Sequence, residues 1–381
     1  MSTVALKKSF LIKSEIKALD IEHKRKLSFN IGKYNDTVIK GKQQFADLDL
    51  ARKKAKNIKW RTIENLDTYL IEFEKNFTAR GGKVIWARDA QEANEAVVAI
   101  CKEHETTQVV KSKSMVTEEI HLNAFLEQHG IESVETDLGE YIQQLDGEAP
   151  YHIVTPAMHK SKEDCARVFH EKLGTEPNLT PSEITLVARK NLRAKYTSAG
   201  VGVTGGNFLL SDIGGVCVTE NEGNGRLTTA FPKVHIAIVG IEKMIPSVMD
   251  LQLYWPLLAT YGTGQNVTVY NSIFTGARTS KEHDGPEEMI VILLDNGRTN
   301  LLKDIGVRES MYCIRCGSCL NACPVYKNIG GHTYGATYSG PIGSVITPHM
   351  KDFATFNHLS YASTLCGNCT EVCPRKINIH A

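Results

Sequence analysis

Seven of the ten cysteines lie between residues 313 and 373, in the runs CIRCGSCLNACPVY (313–326) and STLCGNCTEVCPRKI (363–377). The first run has the C-x2-C-x2-C-x3-C-P spacing of two-cluster iron–sulfur proteins. In that spacing three thiolates on a curled turn converge on one cluster, and the fourth serves its neighbour. The crossover predicts Cys313, Cys316, Cys319 and Cys373 around cluster one, and Cys323, Cys366 and Cys369 facing cluster two. Pro324 and Pro374 follow the crossover cysteines and turn the chain away. Paired C-x2-C units also build tetrahedral zinc sites, but seven cysteines in this order with two Cys-Pro dipeptides favour two [4Fe-4S] clusters. In a reducing compartment such clustering points to metal rather than to disulfides.

The second run is one ligand short. Ser363 stands in the register of its first cysteine, and a serine oxygen is a harder, weaker ligand for iron than a thiolate. Four answers compete. Cluster two is a three-iron form, or a four-iron form whose last iron carries water or a substrate oxygen. Alternatively a histidine (His332, His349, His358 or His380) completes it, or a ligand lies beyond Ala381. The first two share a labile iron position and are the expectation.

Outside the cysteine runs the signals are weaker. In TENEGNGR (219–226), Glu220 and Glu222 follow an expected strand, where α/β enzymes expose catalytic groups. Glu222 is the candidate for a catalytic nucleophile; the alternative is a tight turn with Arg226 pairing to a carboxylate. Lys111, Lys113 and Ser114 sit between an expected strand and a helix start that could hold an anion. Gly200, Gly202 and Gly205 spell GxGxxG, but the polar helix tail NLRAKYTSA precedes them where the dinucleotide fingerprint needs a strand. No nicotinamide site is expected. His283 and Asp284 read as a polar surface loop, and Cys101, Cys165 and Cys217 as core thiols.

The elements that must position these residues follow from periodicity. Ile63, Leu66, Leu70, Phe73 and Phe77 form one helical stripe ending at Gly81-Gly82. KVIWA (83–87), TQVVKS (107–112), IESVET (131–136), HIVTP (152–156), VCVT (216–219), KVHIAIVGI (233–241) and MIVILLD (289–295) read as strands. Asp89 caps a helix after the first, another helix runs through Phe125 and Leu126 to Gly130, and Thr180-Pro181-Ser182-Glu183 starts a third. Strands alternating with helices predict an α/β layer with a parallel sheet. The expected divisions are a basic helical segment at 1–60, the α/β domain at 61–298 and a small ferredoxin-like domain at 299–381.

Apolar residues make up 42% and charged residues 23% of the 381, the balance of a globular chain. Residues 1–60 hold 15 Lys and Arg against 6 Asp and Glu, a local +9 inside a net charge of +1. Without a groove-reading motif this predicts a solvated or docking arm and no nucleic-acid partner. No run is long enough to span a membrane, no leader is visible, and the cytoplasm is the expected location.

The segments CIRCGSCLNACPVYKNIGGHTYG, YSGPIGSVITPHM and YASTLCGNCTEVCPRKINIH resemble the lactate utilisation protein B family. The α/β segments KSKSMVTEEIHLNAFLEQHGIESVETDLGEYIQQL, HIVTPAMHKS and GGVCVTENEGNGRLTTAFPKVHIAIVGIEKMIP resemble the associated lactate-utilisation domain. The resemblance implies a Rossmann-like sheet similar to sugar-phosphate isomerases and CoA transferases, followed by a two-cluster domain. It implies an electron-carrying subunit of a complex that oxidises L-lactate to pyruvate, with a cysteine-rich redox subunit and a second lactate-utilisation-domain protein as partners. The family also has three cysteines in its second run and continues past the point where this chain stops, so the resemblance implies a shortened C-terminus. The competing expectation is that the α/β domain is itself catalytic on a 2-hydroxy acid or acyl-CoA-like ligand.

Overall fold

The computed structural model describes residues 3–381. Four helices come first: α1 Thr3–Leu19, α2 Ile21–Gly41, α3 Leu48–Glu64 and α4 Leu66–Thr78. Asp20 and Asp47 cap α2 and α3 by accepting the amides of His23 (2.9 Å) and Leu50 (2.8 Å). The stripe expected to run unbroken from Ile63 is divided at Asn65. That residue leaves helical dihedrals and donates its side-chain amide to the Arg61 carbonyl at 2.9 Å, closing α3. The basic N-terminal segment docks on its own chain. Lys26 pairs with Asp164 (2.7 Å), Lys56 with Glu309 (2.6 Å), and Arg52 donates to the carbonyl of Cys373 (2.9 Å).

Ten strands follow: β1 Lys83–Ala87, β2 Gln108–Lys111, β3 Glu132–Glu135, β4 Val201–Thr204, β5 Phe208–Leu210, β6 Gly215–Glu220, β7 Val234–Gly240, β8 Met244–Ile245, β9 Tyr270–Phe274 and β10 Glu288–Leu294. Six form a wholly parallel sheet in the order β1-β10-β7-β4-β2-β3. All of β7 is buried, as a central parallel strand covered on both faces must be. Ile236 and Ile238 face Val97, Cys101 and Leu126, whereas Ala237 and Val239 belong with Phe73 and Phe77 of α4. The architecture is thus α/β, as the alternation predicts.

Four short strands pair separately, in the order β8-β5-β6-β9. VCVT lies in this second sheet, inside β6, antiparallel to both β5 and β9. Two local expectations are corrected. HIVTP is a loop: the ring Nδ1 of His152 accepts the amides of Val154 (3.1 Å) and Thr155 (3.3 Å), taking donors that a ladder would need. The helix through Phe125 is two pieces, Met115–Glu119 and Leu122–Gln128, divided at His121, whose φ is 54°.

Residues 308–381 wind as short helices, including Ser318–Ala322, Pro324–Ile329, Gly340–Met350 and Asn368–Glu371. They share one core with the N-terminal helices and the sheet, in which Phe10, Leu27, Val239, Leu320, Tyr326 and Ile346 are buried together. The divisions predicted at 60/61 and 298/299 fall within α3 and within the helix Arg298–Lys303.

One consequence of this burial is measurable. His235 on β7 is fully enclosed, bonded to Thr204 Oγ1 (2.8 Å), and burial pushes its pKa down to about 3. A base whose folded pKa is depressed contributes stability that is complete above its unfolded pKa of about 6.5 and is lost as pH falls below it. Between about pH 7.5 and 5.5 the protein is expected to lose about 1.4 kcal/mol that His235→Gln does not lose. Parallel denaturant titrations at the two pH values measure the difference; equal losses would refute it.

Candidate iron–sulfur centres and the adjoining cavity

Cys313, Cys316, Cys319 and Cys373 line one cavity, with Arg315, Arg375, Ile342 and Ile377 between them. The turn is built by Gly317 at φ 79° and by Arg315 at φ 60°. A side chain at Gly317 would meet His152 and Val154 at 3.1 Å, so glycine answers both the conformation and the close approach. Backbone amides point at the sulfurs: Arg315 at Cys313 (3.4 Å), Ser318 at Cys316, Ile342 at Cys319 and Ile377 at Cys373. As free thiols Cys316, Cys319 and Cys373 are neutral, because burial pushes Cys316 up to about 12, Cys373 to about 11 and Cys319 well above the usual thiol range.

Neutral thiols leave two buried guanidiniums short of acceptors, although Arg315 reaches Glu242 at 3.4 Å and Arg375 donates to the Tyr254 hydroxyl at 2.6 Å. The Nε and Nη1 atoms of both Arg315 and Arg375 are buried without an acceptor. Arg375 is 0% exposed and the Arg315 side chain 10%. Unpaired charge at that depth is costly. A cluster held by four thiolates carries the negative charge and the sulfur acceptors these guanidiniums lack, so this donor set fits such a group.

Cys323, Cys366 and Cys369 line a second, larger cavity together with Ser363 and His380. Cys366 is exposed and Cys323 buried. Gly367, at φ 78°, repeats the turn of Gly317, and a Cβ there would lie 3.4 Å from His380 Nε2. The amide of Tyr326 donates to Cys323 Sγ at 3.4 Å. His380 Nδ1 is 2.8 Å from the hydroxyl of Thr370, while Ser363 Oγ already accepts the Leu365 amide at 3.0 Å. The other three histidines are elsewhere. His332 bonds the Ala149 carbonyl at 2.7 Å, His349 packs on Phe353, and His358 lies between Phe10 and Phe356.

A third cavity, of about 420 Å³, joins the α/β layer to the first cysteine loop; Lys113, Asp137, Glu222, Lys243 and Arg315 are in its wall. Burial first, then Asp137, raises Glu222 to about 7, while Oε2 accepts the Leu138 amide at 3.0 Å. Glu220 is held by the amides of Gly225 (2.6 Å) and Arg226 (2.9 Å), and the Arg226 side chain turns to Ser272 (3.3 Å). Lys111 is not open to an anion: its ammonium is fully buried against Glu135 (2.7 Å), Glu118 (3.3 Å) and Glu140 (3.9 Å). Lys113 donates to the Val154 carbonyl. Gly202 lies within β4, so the GxGxxG glycines run along a strand instead of opening a helix.

Sequence patterns gave no sign of the buried cations. Arg315 and Arg375 lie beside cysteines and Lys243 lies just past the expected strand 233–241, positions that carry no sign of burial in the sequence. Beneath them a buried network ties the parts together. Arg298 holds Glu119 with two bonds of 2.9 Å and also bonds Glu242; Tyr338 donates to Glu119 at 2.6 Å; and Arg315 reaches Glu242 at 3.4 Å. Glu148, His159 and His332 also converge, their ligand atoms within 4.8 Å of one another, but Lys160 lies 3.0 Å from Glu148 and supplies the positive charge there.

An α/β layer with a C-terminal two-run cysteine domain defines an iron–sulfur protein. Residues 70–294 match the LUD domain family and residues 309–377 the 4Fe-4S dicluster domain family. The lactate utilization protein B of Anoxybacillus flavithermus is 44% identical over 339 residues, covering 89% of this chain and 72% of that protein. Its namesake from a Geobacillus species is 45% identical over 330 residues, covering 86% and 69%. That of Bacillus cereus is 43% identical over 342 residues, covering 90% and 72%. The crystal structure of a DUF162 family protein from Deinococcus radiodurans matches with a TM-score of 0.35 at 14% identity, covering 60% of this chain and 98% of that one. The chain belongs to the lactate utilization protein B family. Its cofactors are iron–sulfur clusters and its role lies in lactate utilisation. No helix among the described residues is long and apolar enough to cross a membrane.

Proposed function

We propose that the chain is the electron-transferring subunit of a cytoplasmic complex that oxidises L-lactate to pyruvate, acting with a cysteine-rich redox subunit and a second lactate-utilisation-domain protein. Oxidation of the alcohol to the ketone releases two electrons and two protons, and a pair of clusters held by these cysteines would supply two one-electron carriers for those electrons. Cluster one takes Cys313, Cys316, Cys319 and Cys373; cluster two takes Cys323, Cys366 and Cys369. The observation that carries this is the pair of cysteine cavities on either side of the helix Ser318–Ala322. Cys319 lies within that helix and Cys323 directly follows it, so the two ligand sets are joined by four residues of chain. Anaerobic iron analysis with redox titration followed by EPR tests it. About eight irons and two reducible centres are expected; a single tetrahedral metal would refute it.

In this proposal cluster two is a [4Fe-4S] cluster completed by His380. Its ring shares the cavity of the three cysteines, and the ligating tautomer carries its proton on Nδ1, where Thr370 Oγ1 receives it. Ser363 is already engaged by the Leu365 amide. His380→Ala is expected to lose about one iron on mild oxidation, with a three-iron EPR signal, whereas Ser363→Ala leaves the spectrum unchanged. Nitrogen hyperfine coupling in the unaltered protein, removed by His380→Ala, is the direct check. The opposite pattern would assign the position to Ser363.

A second reading gives the α/β layer its own chemistry, and the observation favouring it is Glu222, held near 7 in the 420 Å³ cavity. Lactate-dependent dye reduction by the isolated chain would support it; reduction only after the partner subunits are added would support the relay.

A further inference from the structure

The 420 Å³ cavity opens outside the carboxyl ends of β2, β4 and β7. In the sheet the chain leaves β2 toward β3 on one side and leaves β4 toward β7 on the other. The pair β2/β4 is therefore the topological switch point, where open α/β sheets take their ligands. Ser112 and Ser114 after β2, and Asn207 after β4, present polar groups to the cavity.

Most of the charged wall is already satisfied by the protein. Glu220 and Glu222 accept backbone amides, and Lys113 donates to a carbonyl. Lys243, which follows β7, is the exception. It is 7% exposed and, among the described residues, enters no hydrogen bond or ion pair. An ammonium at that depth without a partner is a net cost to the fold. Arg315, stacked 4.5 Å over Tyr338, forms wall common to this cavity and to that of Cys313, Cys316, Cys319 and Cys373.

We infer that this cavity binds a small organic acid of the 2-hydroxy or 2-oxo class, its carboxylate on the ammonium of Lys243 and one side chain, Arg315, away from cluster one. The anionic ligand follows from the unpaired cation; the choice among acids rests on the proposed role in lactate oxidation. The acid fills the Lys243 end, with Ser112, Ser114 and Asn207 available to its oxygen at C2, and leaves the carboxylate-rich end of the cavity free.

The test uses the full chain, purified anaerobically with its clusters. Calorimetric titration is expected to give saturable binding of L-lactate and pyruvate, binding of acetate weaker by about tenfold or more, and none of inorganic phosphate. Acetate keeps the carboxylate contact and lacks the oxygen at C2, and losing that oxygen's hydrogen bonds to Ser112, Ser114 or Asn207 accounts for a factor of that size. Lys243→Met and Lys243→Gln are each expected to weaken L-lactate about tenfold or more, with iron content unchanged and a thermal midpoint no lower than that of the parent, since a buried unpaired charge is removed. A merely structural lysine would move the midpoint and not the affinity. Lactate is also expected to shift the EPR spectrum of reduced cluster one and leave cluster two alone. The inference falls if no acid saturates, if both variants bind as the parent does, or if phosphate competes equally. Failure of the electron-transfer proposal is seen separately, in the iron count and in the dithionite-bleached absorbance, neither of which requires a ligand.

Discussion

Cys373→Ser is expected to remove cluster one, although Cys373 belongs to the second cysteine run. Its side chain lies in the cavity of Cys313, Cys316 and Cys319, and Cys369, four residues earlier, lies in the other. Serine keeps the size but offers a poorer ligand, so iron is expected to fall from about eight to about four, with the EPR signal of cluster two intact. Cys369→Ser is expected to do the reverse. The first variant is also expected to be the less stable of the two, because it strands Arg315 and Arg375 without the anion their orphaned N–H groups face. Iron analysis, EPR and thermal midpoints on the two proteins decide it. If both substitutions abolish the same signal, the crossover between the runs is wrong.

What could be read before the structure depended on whether a feature is local in the chain. The cysteine spacing is local, because a curled C-x2-C-x2-C turn needs only its own residues, so the two runs could be recognised from the sequence. Buried parallel strands such as VHIAIVG are legible for a similar reason: a strand covered on both faces is a continuous apolar run. The second sheet was not legible as a sheet, since β5 and β8 have three and two residues and β6 is half-buried past Cys217. HIVTP has the composition of a strand, and one imidazole nitrogen that captures two amides makes it a loop. His380 stood equal with three other histidines until Gly367 and Thr370 set it beside Cys366 and Cys369. Lys111 and Lys113 looked alike, two residues apart in the chain. Strand alternation sends the first into a nest of three carboxylates and the next turn sends the second to the cavity wall.

The buried network around Arg298 was beyond sequence for the same reason, and its removal is expected to be the most damaging single change outside the cysteines. Glu119 ends the helix after β2, Glu242 follows β7, Arg298 follows β10, and Tyr338 and Arg315 belong to the cysteine region. One guanidinium, 0% exposed, thus holds two carboxylates that are 3% and 2% exposed. It keeps Glu119 ionised and Glu242 down to about 2 against a burial penalty that would raise both. Arg298→Met fills the space and leaves Glu119 without a cation and Glu242 with only its longer contact to Arg315, so a loss of about 3–5 kcal/mol is expected, read as a lower urea midpoint. Partial recovery in Arg298→Met combined with Glu119→Gln is expected, because residues sharing a network are not additive. Cluster one should suffer with the fold: without Arg298, Glu242 draws on Arg315, the cation that otherwise serves Cys313, and iron retention is expected to fall at cluster one before cluster two. A loss below about 1 kcal/mol, or equal iron loss from both centres, would show that the network fastens the sheet without reaching the sulfur ligands.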